Sequence, residues 1–367
     1  MPRSVPTLAA FVSLGLFWGA WAAVLPSVQR ATDTSKATLG LAMFFVAVGS
    51  LPAMLLVAGP AVDRFGVRAV ALFGACFAVT TALPGLASSF PTLALALTAT
   101  GAASGALDVG INANVSRIES AGGRRLMPLA HALYSCGVLV GAVSTGLARS
   151  AGAGREPILL VVAALIALTA LLLGGDLAKL ESPRVRRRPS FERALVALGL
   201  VGAAAFVVEG GVEGWGALFL ERQLHAQPNV SGLGPGVFAA AMAAGRFLGQ
   251  ALHRPDRELL AGGALVACAG CLLAAVAPSA PVALAGFALA GAGIALNAPL
   301  VFGAAGRNRR DAATGLATVT TLGYLGLLTG PPLVGGVGQV LTLRGSFVAL
   351  AAVAAAVAAA ATLLRLR

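Results

Sequence analysis

Apolar segments of about twenty residues follow one another along the whole chain, separated by short polar turns rich in glycine and proline. A helix needs about 20 apolar residues to cross the roughly 30 Å hydrocarbon core of a bilayer. The pattern therefore predicts an all-α membrane protein with twelve transmembrane helices. Their predicted bounds are 8–28, 38–59, 69–88, 91–114, 128–148, 157–175, 194–220, 231–252, 258–277, 281–304, 312–338 and 345–364. The short loops leave no room for a folded soluble domain.

The composition supports this prediction, because only 11% of the residues are charged and 58% are hydrophobic. A soluble domain carries about 25% charged residues, and the mean hydropathy of this chain is +0.88. The expected surroundings are therefore a lipid bilayer. The net charge of +12 is spread in small clusters between apolar segments. A nucleic-acid-binding protein gathers its charge on one soluble face, so no nucleic acid is expected as a partner.

The basic residues also predict the orientation, since cytoplasmic loops of membrane proteins are enriched in Lys and Arg. Most of the 26 basic residues fall on alternate loops, on the side that also holds both termini. The basic residues of the opposite side are Arg30, Lys36, Arg149, Arg155, Arg222 and Arg344. Both termini are therefore predicted to be cytoplasmic. The excess of Arg, Ala and Gly over Lys indicates a bacterial source, so the expected location is the bacterial inner membrane.

One polar segment divides the chain. Residues 176–193 hold six basic residues and two prolines between the sixth and seventh predicted spans. This composition is typical of a linker. The sequence therefore predicts an N-terminal six-helix bundle over 1–175, a cytoplasmic basic linker over 176–193, and a C-terminal six-helix bundle over 194–367. A monomer is expected.

Polar residues within the spans are the candidate functional groups, because ionisable side chains are costly in a membrane. Span 4 carries Asp108 and Asn112, and span 7 carries Glu209 and Glu213. Each pair is spaced i, i+4 and so shares one helix face. Two carboxylates on one turn repel each other when both are ionised, which favours uptake and release of a proton. Interhelical hydrogen bonding is the structural alternative.

Spans 3, 6, 9 and 12 carry no charged residue in their interiors, whereas their neighbours hold the polar groups. This period fits three-helix repeats in which one helix of each repeat faces lipid. Further cavity candidates are His131, Trp18, Trp215 and Asn297, the last beside Pro299. A packing role for His131 and interfacial anchoring for the tryptophans are the alternatives. The stretch Gly330-Pro331-Pro332 is expected to kink or break span 11.

Fixed charges lie directly beside two apolar segments in the stretch from Gly59 to Arg68, which reads G-P-A-V-D-R-F-G-V-R. The candidate gating residues of this stretch are Gly59, Asp63, Arg64, Gly66 and Arg68. The pattern G-x-x-x-D-R-x-G-x-R after the second span resembles the signature loop of the major facilitator superfamily of transporters. Arg246 lies where the second half would repeat this loop, and is a candidate gating charge with membrane snorkelling as the alternative.

The resemblance extends over the full chain. The stretches 108–112 and 209–220 are similar to a poorly characterised bacterial subgroup related to the fucose and sugar permeases. The resemblance implies two six-helix bundles, a central binding site, and rocker-switch movement between outward-open and inward-open states. It also implies that Asp63 interacts across the cytoplasmic side with the N-terminus of span 11, with Arg64 and Arg68 completing this latch.

The expected function is secondary transport of a small sugar-like or other polar metabolite, coupled to protons. Proton-driven efflux of amphipathic drugs is the alternative within the same class. A polytopic membrane enzyme is a remote alternative, because His131, His225 and His253 are far apart in the sequence and no nucleophile or Walker motif is present. A non-transporting receptor with the same fold is a further alternative. Neither a cofactor nor a metal is expected.

Overall fold

The computed structural model describes residues 4–122, 126–174, 192–249, 251–306 and 312–363, and every long regular element within these ranges is helical. The α-helices are α1 Val5–Ala31, α2 Lys36–Pro52, α3 Gly59–Phe65, α4 Val67–Leu86, α5 Phe90–Gly122, α6 Met127–Ser150, α7 Arg155–Gly174, α8 Arg193–Leu224, α9 Pro228–Ser231, α10 Leu233–Gly249, α11 Asp256–Val276, α12 Ala280–Ile294, α13 Asn297–Gly306, α14 Ala312–Val340 and α15 Leu343–Leu363. A π-helical turn, Ala53–Ala58, joins α2 to α3.

Ten helical stretches in the described part of the chain are long and apolar enough to cross a membrane. They coincide with ten of the predicted spans, and α10 and α14 lie at the positions of the other two. The prediction of an all-helical membrane protein is confirmed. The count of twelve spans and the cytoplasmic termini stay predictions.

The contacts between residues divide the chain into two compact units. The first comprises Met1–Pro183 together with Gln227–Gly236, and the second comprises Arg184–Ala226 together with Val237–Arg367. The predicted boundary at the linker had placed Gln227–Gly236 in the C-terminal bundle, whereas this segment packs with the first unit. Residues 176–191 of the predicted linker lie outside the described residues, and Arg193 begins α8.

Glycines bring the helices of the first unit into direct backbone contact. A Cβ atom added at Gly15 or Gly19 of α1 would overlap the backbone of α6, and one added at Gly137 or Gly141 of α6 would overlap that of α1. Between transmembrane helices, where lipid is as apolar as the side chains, close packing replaces the hydrophobic effect as the source of association. The pair α1–α6 therefore forms one rigid side of this unit.

Three phenylalanines form an aromatic cluster in the second unit. Phe219 of α8 lies 4.6 Å from Phe347 of α15 between ring centroids, and Phe347 lies 5.4 Å from Phe287 of α12. All three rings are fully buried. Aromatic pairs at these distances contribute about 0.5–1.5 kcal/mol each beyond their buried area. The cluster fixes the level at which α8, α12 and α15 meet.

Each of the two units has an arginine that donates hydrogen bonds to the carbonyl oxygens at the C-terminal end of a neighbouring helix. Arg155 at the start of α7 donates to the carbonyl oxygens of Gly85 and Ala87 at the end of α4, at 2.7 and 3.2 Å. Arg344 at the start of α15 donates in the same way to Ala275 and Ala277 at the end of α11, at 2.7 and 2.8 Å.

Each guanidinium thus supplies donors for carbonyl groups that lack partners at a helix end. The shared arrangement gives a common reference point for aligning the two halves of the sequence.

We expect Arg344→Ala to lower the unfolding temperature of the purified protein, because the carbonyls of Ala275 and Ala277 lose their donors, at about 1–3 kcal/mol per buried unsatisfied group. The matched control is Arg254→Ala. Arg254 lies 3.8 Å from Glu258 in an exposed pair, and such pairs contribute little. Equal unfolding temperatures for the two variants in detergent would contradict a structural role for Arg344.

The sequence suggested that the stretch from Gly59 to Arg68 forms a loop, but the structure shows otherwise. Helix α3 continues the second span through Phe65, and the chain turns only at Gly66, where φ is +58°. Glycine tolerates this left-handed conformation without the steric cost that a side chain would add. The apolar residues before Asp63 satisfy their backbone groups by extending the helix, so the charges lie on a helix end.

Candidate functional site

The polar face of α5 carries the candidate residues of the first unit. Asn112 donates from Nδ2 to Oδ1 of Asp108 at 2.9 Å and to the backbone carbonyl of Asp108 at 2.9 Å. The i, i+4 spacing on a continuous helix positions the two side chains for this contact. Asp108 is half-buried. The carboxylate is therefore supported by an internal donor.

A second polar residue on α5 joins it to α1. Asn114 donates from Nδ2 to Oγ1 of Thr7 at 2.6 Å, and both side chains are buried. This is an interhelical hydrogen bond of the kind that holds transmembrane helices together. The contact gives Asn114 a structural role, separate from the Asp108–Asn112 pair.

The candidate carboxylates of the second unit lie on the face of α8 that meets α12 and α13. A Cβ added at Gly216 would contact Phe287 at 3.3 Å, and one added at Gly202 would contact Val301 at 3.2 Å. Glu209 lies halfway between these glycines, in the seven-residue spacing that keeps one helix face. It is therefore level with the end of α12. Glu213 follows one turn later, and both glutamates are half-buried.

The predicted span 281–304 is interrupted at this level. Helix α12 ends at Ile294 and α13 begins at Asn297. The cause is Pro299, which has no N–H to donate to the carbonyl of Ala295 in an i to i+4 bond. Nε of Arg246 donates to this carbonyl instead, at 3.4 Å. The tenth predicted span is thus a helix that is interrupted at residues 295–296.

Arg246 of α10 is the positively charged residue that interacts with the carboxylates of α8. Its guanidinium interacts electrostatically with Glu209 and Glu213, and Glu209 also interacts with Glu213. Nη2 of Arg246 also lies 3.2 Å from Sδ of Met242 one turn earlier. We call Glu209, Glu213, Arg246 and Asn297 the α8–α13 cluster. Two carboxylates, one guanidinium and a carboxamide can exchange a proton and hydrogen-bond a solute.

Asn297 is buried without a hydrogen-bond partner in the part of the chain that the structure describes. Its side chain is 2% exposed, and neither its amide nitrogen nor its amide oxygen has a hydrogen-bond partner among the described residues. Oγ1 of Thr81 and Nε1 of Trp215 are also buried without a hydrogen-bond partner among the described residues. Trp215 lies one turn after Gly211, where an added Cβ atom would contact Leu350 of α15. Trp215 is thus fully buried on a face of α8 that packs against α15.

Asp108 and Asn297 occupy equivalent positions in the two halves. Asn297 precedes Arg344 by as many residues as Asp108 precedes Arg155, and each of these two arginines binds the C-terminal end of a neighbouring helix. Sequence reasoning proposed both residues but missed their equivalence. The equal spacing of Asp108 and Asn297 from these two arginines was visible in the sequence. It indicates equivalence only after the structure shows that both arginines bind helix ends.

The signature segment forms an ion pair within the first unit. An oxygen of Asp63 lies 3.6 Å from Nη2 of Arg117 on α5. Arg64 lies with its guanidinium 5.4 Å from the centre of the Phe65 ring, and Arg68 is exposed. Arg117 was counted only as a topology signal in the sequence. The contact of Asp63 with the start of span 11 stays a prediction.

Glu119, near the end of α5, binds the start of α6. Its Oε1 accepts hydrogen bonds from the backbone N–H groups of Leu126 and Met127, the latter at 2.7 Å. A carboxylate at a helix N-terminus also interacts favourably with the helix dipole. The start of α6 is therefore attached to the end of α5 that also carries the Asp63–Arg117 pair. Sequence reasoning did not identify Glu119.

The remaining cavity candidates lie on α1 and α6. His131 is exposed and meets the ring of Phe11 edge-on at 5.5 Å. Trp18 is half-buried and lies 5.0 Å from the ring of Phe17. Both side chains therefore have aromatic neighbours, and their roles in transport stay predictions. Within the described residues, no group of His, Cys, Asp and Glu could hold a metal ion.

These features define an integral, multi-pass helical membrane protein with ionisable groups inside its spans. The sequence profile of the Major Facilitator Superfamily matches residues 7–318. The chain belongs to the major facilitator superfamily and is an MFS transporter, as the signature segment suggested.

Two relatives cover most of the chain. An uncharacterised MFS-type transporter of Yersinia pestis is 33% identical over 367 residues, which cover 98% of this chain and 95% of that protein. The membrane protein MosC of Rhizobium meliloti is 31% identical over 352 residues, covering 94% of this chain and 86% of that protein. The family assignment therefore rests on full-length similarity.

Solved structures share the fold. A bacterial homologue of the human lysosomal transporter Spinster gives a TM-score of 0.74 at 20% identity, covering 99% of this chain and 96% of that one. The nucleoside transporter NupG gives 0.74 at 14% identity, covering 99% of both chains. The E. coli fucose:proton symporter FucP gives 0.62 at 19% identity, covering 100% of both. At these identities the likeness concerns the fold alone.

Proposed function

We propose that the protein is a proton-coupled secondary transporter of the bacterial inner membrane that moves a small polar solute by rocker-switch alternating access. The α8–α13 cluster carries the proposal. Glu209 and Glu213 share one helix face, and one guanidinium interacts with both. A proton on either carboxylate removes their mutual repulsion, so binding and release of one proton changes the charge that Arg246 meets.

The energetics of this coupling are sufficient. One proton crossing the membrane releases about 2.3 kcal/mol per 100 mV of membrane potential. Every 1.4 kcal/mol corresponds to a tenfold concentration ratio, so one proton per solute supports a gradient of more than tenfold. Asp108, held by Asn112 in the first unit, is proposed as a further proton-binding group.

The solute is proposed to be polar. The side chains of Asp108, Asn112, Glu209 and Glu213 offer many hydrogen-bonding atoms within the spans, whereas a pump for amphipathic drugs needs mostly apolar walls. FucP and NupG, which share the fold, are named as a fucose:proton symporter and a nucleoside transporter. These names support a polar solute without identifying it.

The proposal is tested with the purified protein in liposomes that contain the pH-sensitive dye pyranine. Sugars, nucleosides, organic acids, amino acids and lipophilic cations are added separately, and the internal pH is followed. We expect at least one polar class to move protons in protein-containing liposomes but not in empty ones. A response to lipophilic cations alone would favour drug efflux. No response to any class would contradict proton-coupled transport.

Transport is also proposed to require release of the segment Gln227–Gly236 from α6. The backbone N–H of Asn229 donates to Oγ of Ser150 at 2.8 Å, and a Cβ at Gly232 would lie 2.7 Å from the carbonyl oxygen of Ala142. We expect the double variant Ser150→Cys, Asn229→Cys to lose transport under oxidation and to regain it on reduction. The single variants are the controls, and unchanged transport in the oxidised double variant would show that the segment stays attached.

A further inference from the structure

Asn297 of α13 carries a buried carboxamide. Buried polar atoms are almost always hydrogen-bonded, and the cost of leaving them unpaired is higher in a membrane, where water is scarce. Yet both polar atoms of this side chain lack a partner among the described residues. Asp108, its equivalent in the first unit, receives a hydrogen bond from Asn112 one turn later. One turn after Asn297 stands Val301, which has no polar side-chain atom.

We infer that Asn297 recognises the transported solute, and that this solute is a neutral, hydroxyl-rich molecule such as a sugar or polyol. The carboxamide offers one acceptor and two donors side by side. Neighbouring hydroxyl groups can donate to Oδ1 and accept from Nδ2 at the same time. The inference rests on the proposed function and adds the solute class and the residue that reads it.

The helix break keeps Asn297 in place. Pro299 leaves the carbonyl of Ala295 without its helical donor, and Arg246 binds this carbonyl. Val301, one turn beyond Asn297, packs against Gly202 of α8. Because residues four apart share one helix face, Asn297 lies on the same side of α13 as Val301, which meets the face of α8 that carries Glu209. The solute would lie between the first turn of α13 and this face.

The charge of the α8–α13 cluster favours a neutral solute. Two carboxylates interact with one guanidinium, whose Nε already donates to a carbonyl. With one proton on the carboxylate pair, as proton coupling requires, the remaining negative charge balances Arg246. The cluster then has no net charge, so neither an anion nor a cation would find an uncompensated opposite charge there. A neutral solute avoids this penalty.

The test compares Asn297→Leu with wild type in thermal unfolding and in calorimetric binding to the full-length protein in detergent. Leu has nearly the shape of Asn without its polar atoms. We expect the unfolding temperature to rise by roughly 1–3 °C, since two orphaned polar atoms are removed. The matched control is Thr81→Val, which removes another orphaned buried atom on α4. It should raise stability without changing binding.

The probes are neutral D-glucose, D-galactose, L-fucose and D-glucitol, anionic D-gluconate, and cationic D-glucamine. We expect at least one neutral probe to bind the wild type and the Thr81→Val variant. Asn297→Leu should bind this probe at least about tenfold more weakly, as for the loss of a buried hydrogen-bonding partner. Binding of only gluconate or glucamine, or of no probe, would overturn the solute class.

Two outcomes would overturn the role of Asn297. A lower unfolding temperature of Asn297→Leu would show that the carboxamide has a partner inside the protein. Unchanged probe affinity in this variant would show that the solute does not contact it. Neither result affects proton coupling, which is read separately by the pyranine measurement with the full solute panel. Failure of that panel would remove the proposed function instead.

Discussion

Glu209→Gln is expected to abolish solute-driven proton movement while exchange of unlabelled for labelled solute remains measurable. Gln preserves the size and hydrogen bonding of Glu but cannot bind and release a proton. Arg246 would still interact electrostatically with Glu213, so the α8–α13 cluster keeps one attractive interaction between opposite charges. Proton movement is measured with pyranine and exchange by counterflow, using a solute that drives proton movement in the wild type.

The matched control for this variant is Glu221→Gln. Glu221 lies in the last turns of the same helix, α8, and should show wild-type coupling. Retained counterflow in Glu209→Gln separates a lost proton site from a misfolded protein. Wild-type coupling in Glu209→Gln would remove Glu209 from the mechanism and leave Glu213 and Asp108 as the candidates.

The second large effect concerns the backbone contact between α1 and α6. A methyl group at Gly19 would overlap the carbonyl oxygen of Val138, and a backbone carbonyl cannot move aside without moving its helix. Overpacking a tight contact costs about 1–3 kcal/mol and occasionally more. We expect Gly19→Ala to lower the unfolding temperature markedly and to reduce the yield of folded protein.

Gly262→Ala is the control for this substitution. Gly262 lies on α11, where an added Cβ finds no atom within 4 Å. In an open helical position Ala is favoured over Gly by about 0.5–1 kcal/mol, so this variant should be as stable as the wild type or slightly more stable. Similar destabilisation of both variants would mean that the α1–α6 contact is not specifically tight.

Proline positions show where sequence reasoning stopped. Gly330-Pro331-Pro332 was expected to kink or break span 11. Helix α14 is not broken there, since it runs over Ala312–Val340, and a kink stays a prediction. Pro299 was noted only as a neighbour of Asn297, yet it coincides with the break between α12 and α13. The sequence shows which N–H groups are missing, but not whether the freed carbonyl finds another donor. At Ala295 that donor is Arg246, from a different helix.

Charged residues show the same division. The sequence was sufficient to pair Asp108 with Asn112, because the contact lies within one helix. It was not sufficient to pair Asp63 with Arg117 or Arg344 with Ala275, since these partners lie on different helices. Contacts between residues far apart in the chain depend on helix packing, and the periodicity of one segment carries no information about its neighbours.

The sequence by itself determined the membrane class, the positions of the helices, the superfamily and the faces on which the intramembrane carboxylates lie. These properties follow from local hydropathy, from a short motif and from the 3.6-residue period of a helix. The tertiary structure decided that Arg246 binds the carbonyl of an interrupted helix, that Asn297 is buried without a partner among the described residues, and that Gln227–Gly236 packs with the first unit. These properties depend on which helices meet, because a hydrogen bond or a backbone contact exists only when both partners are brought together.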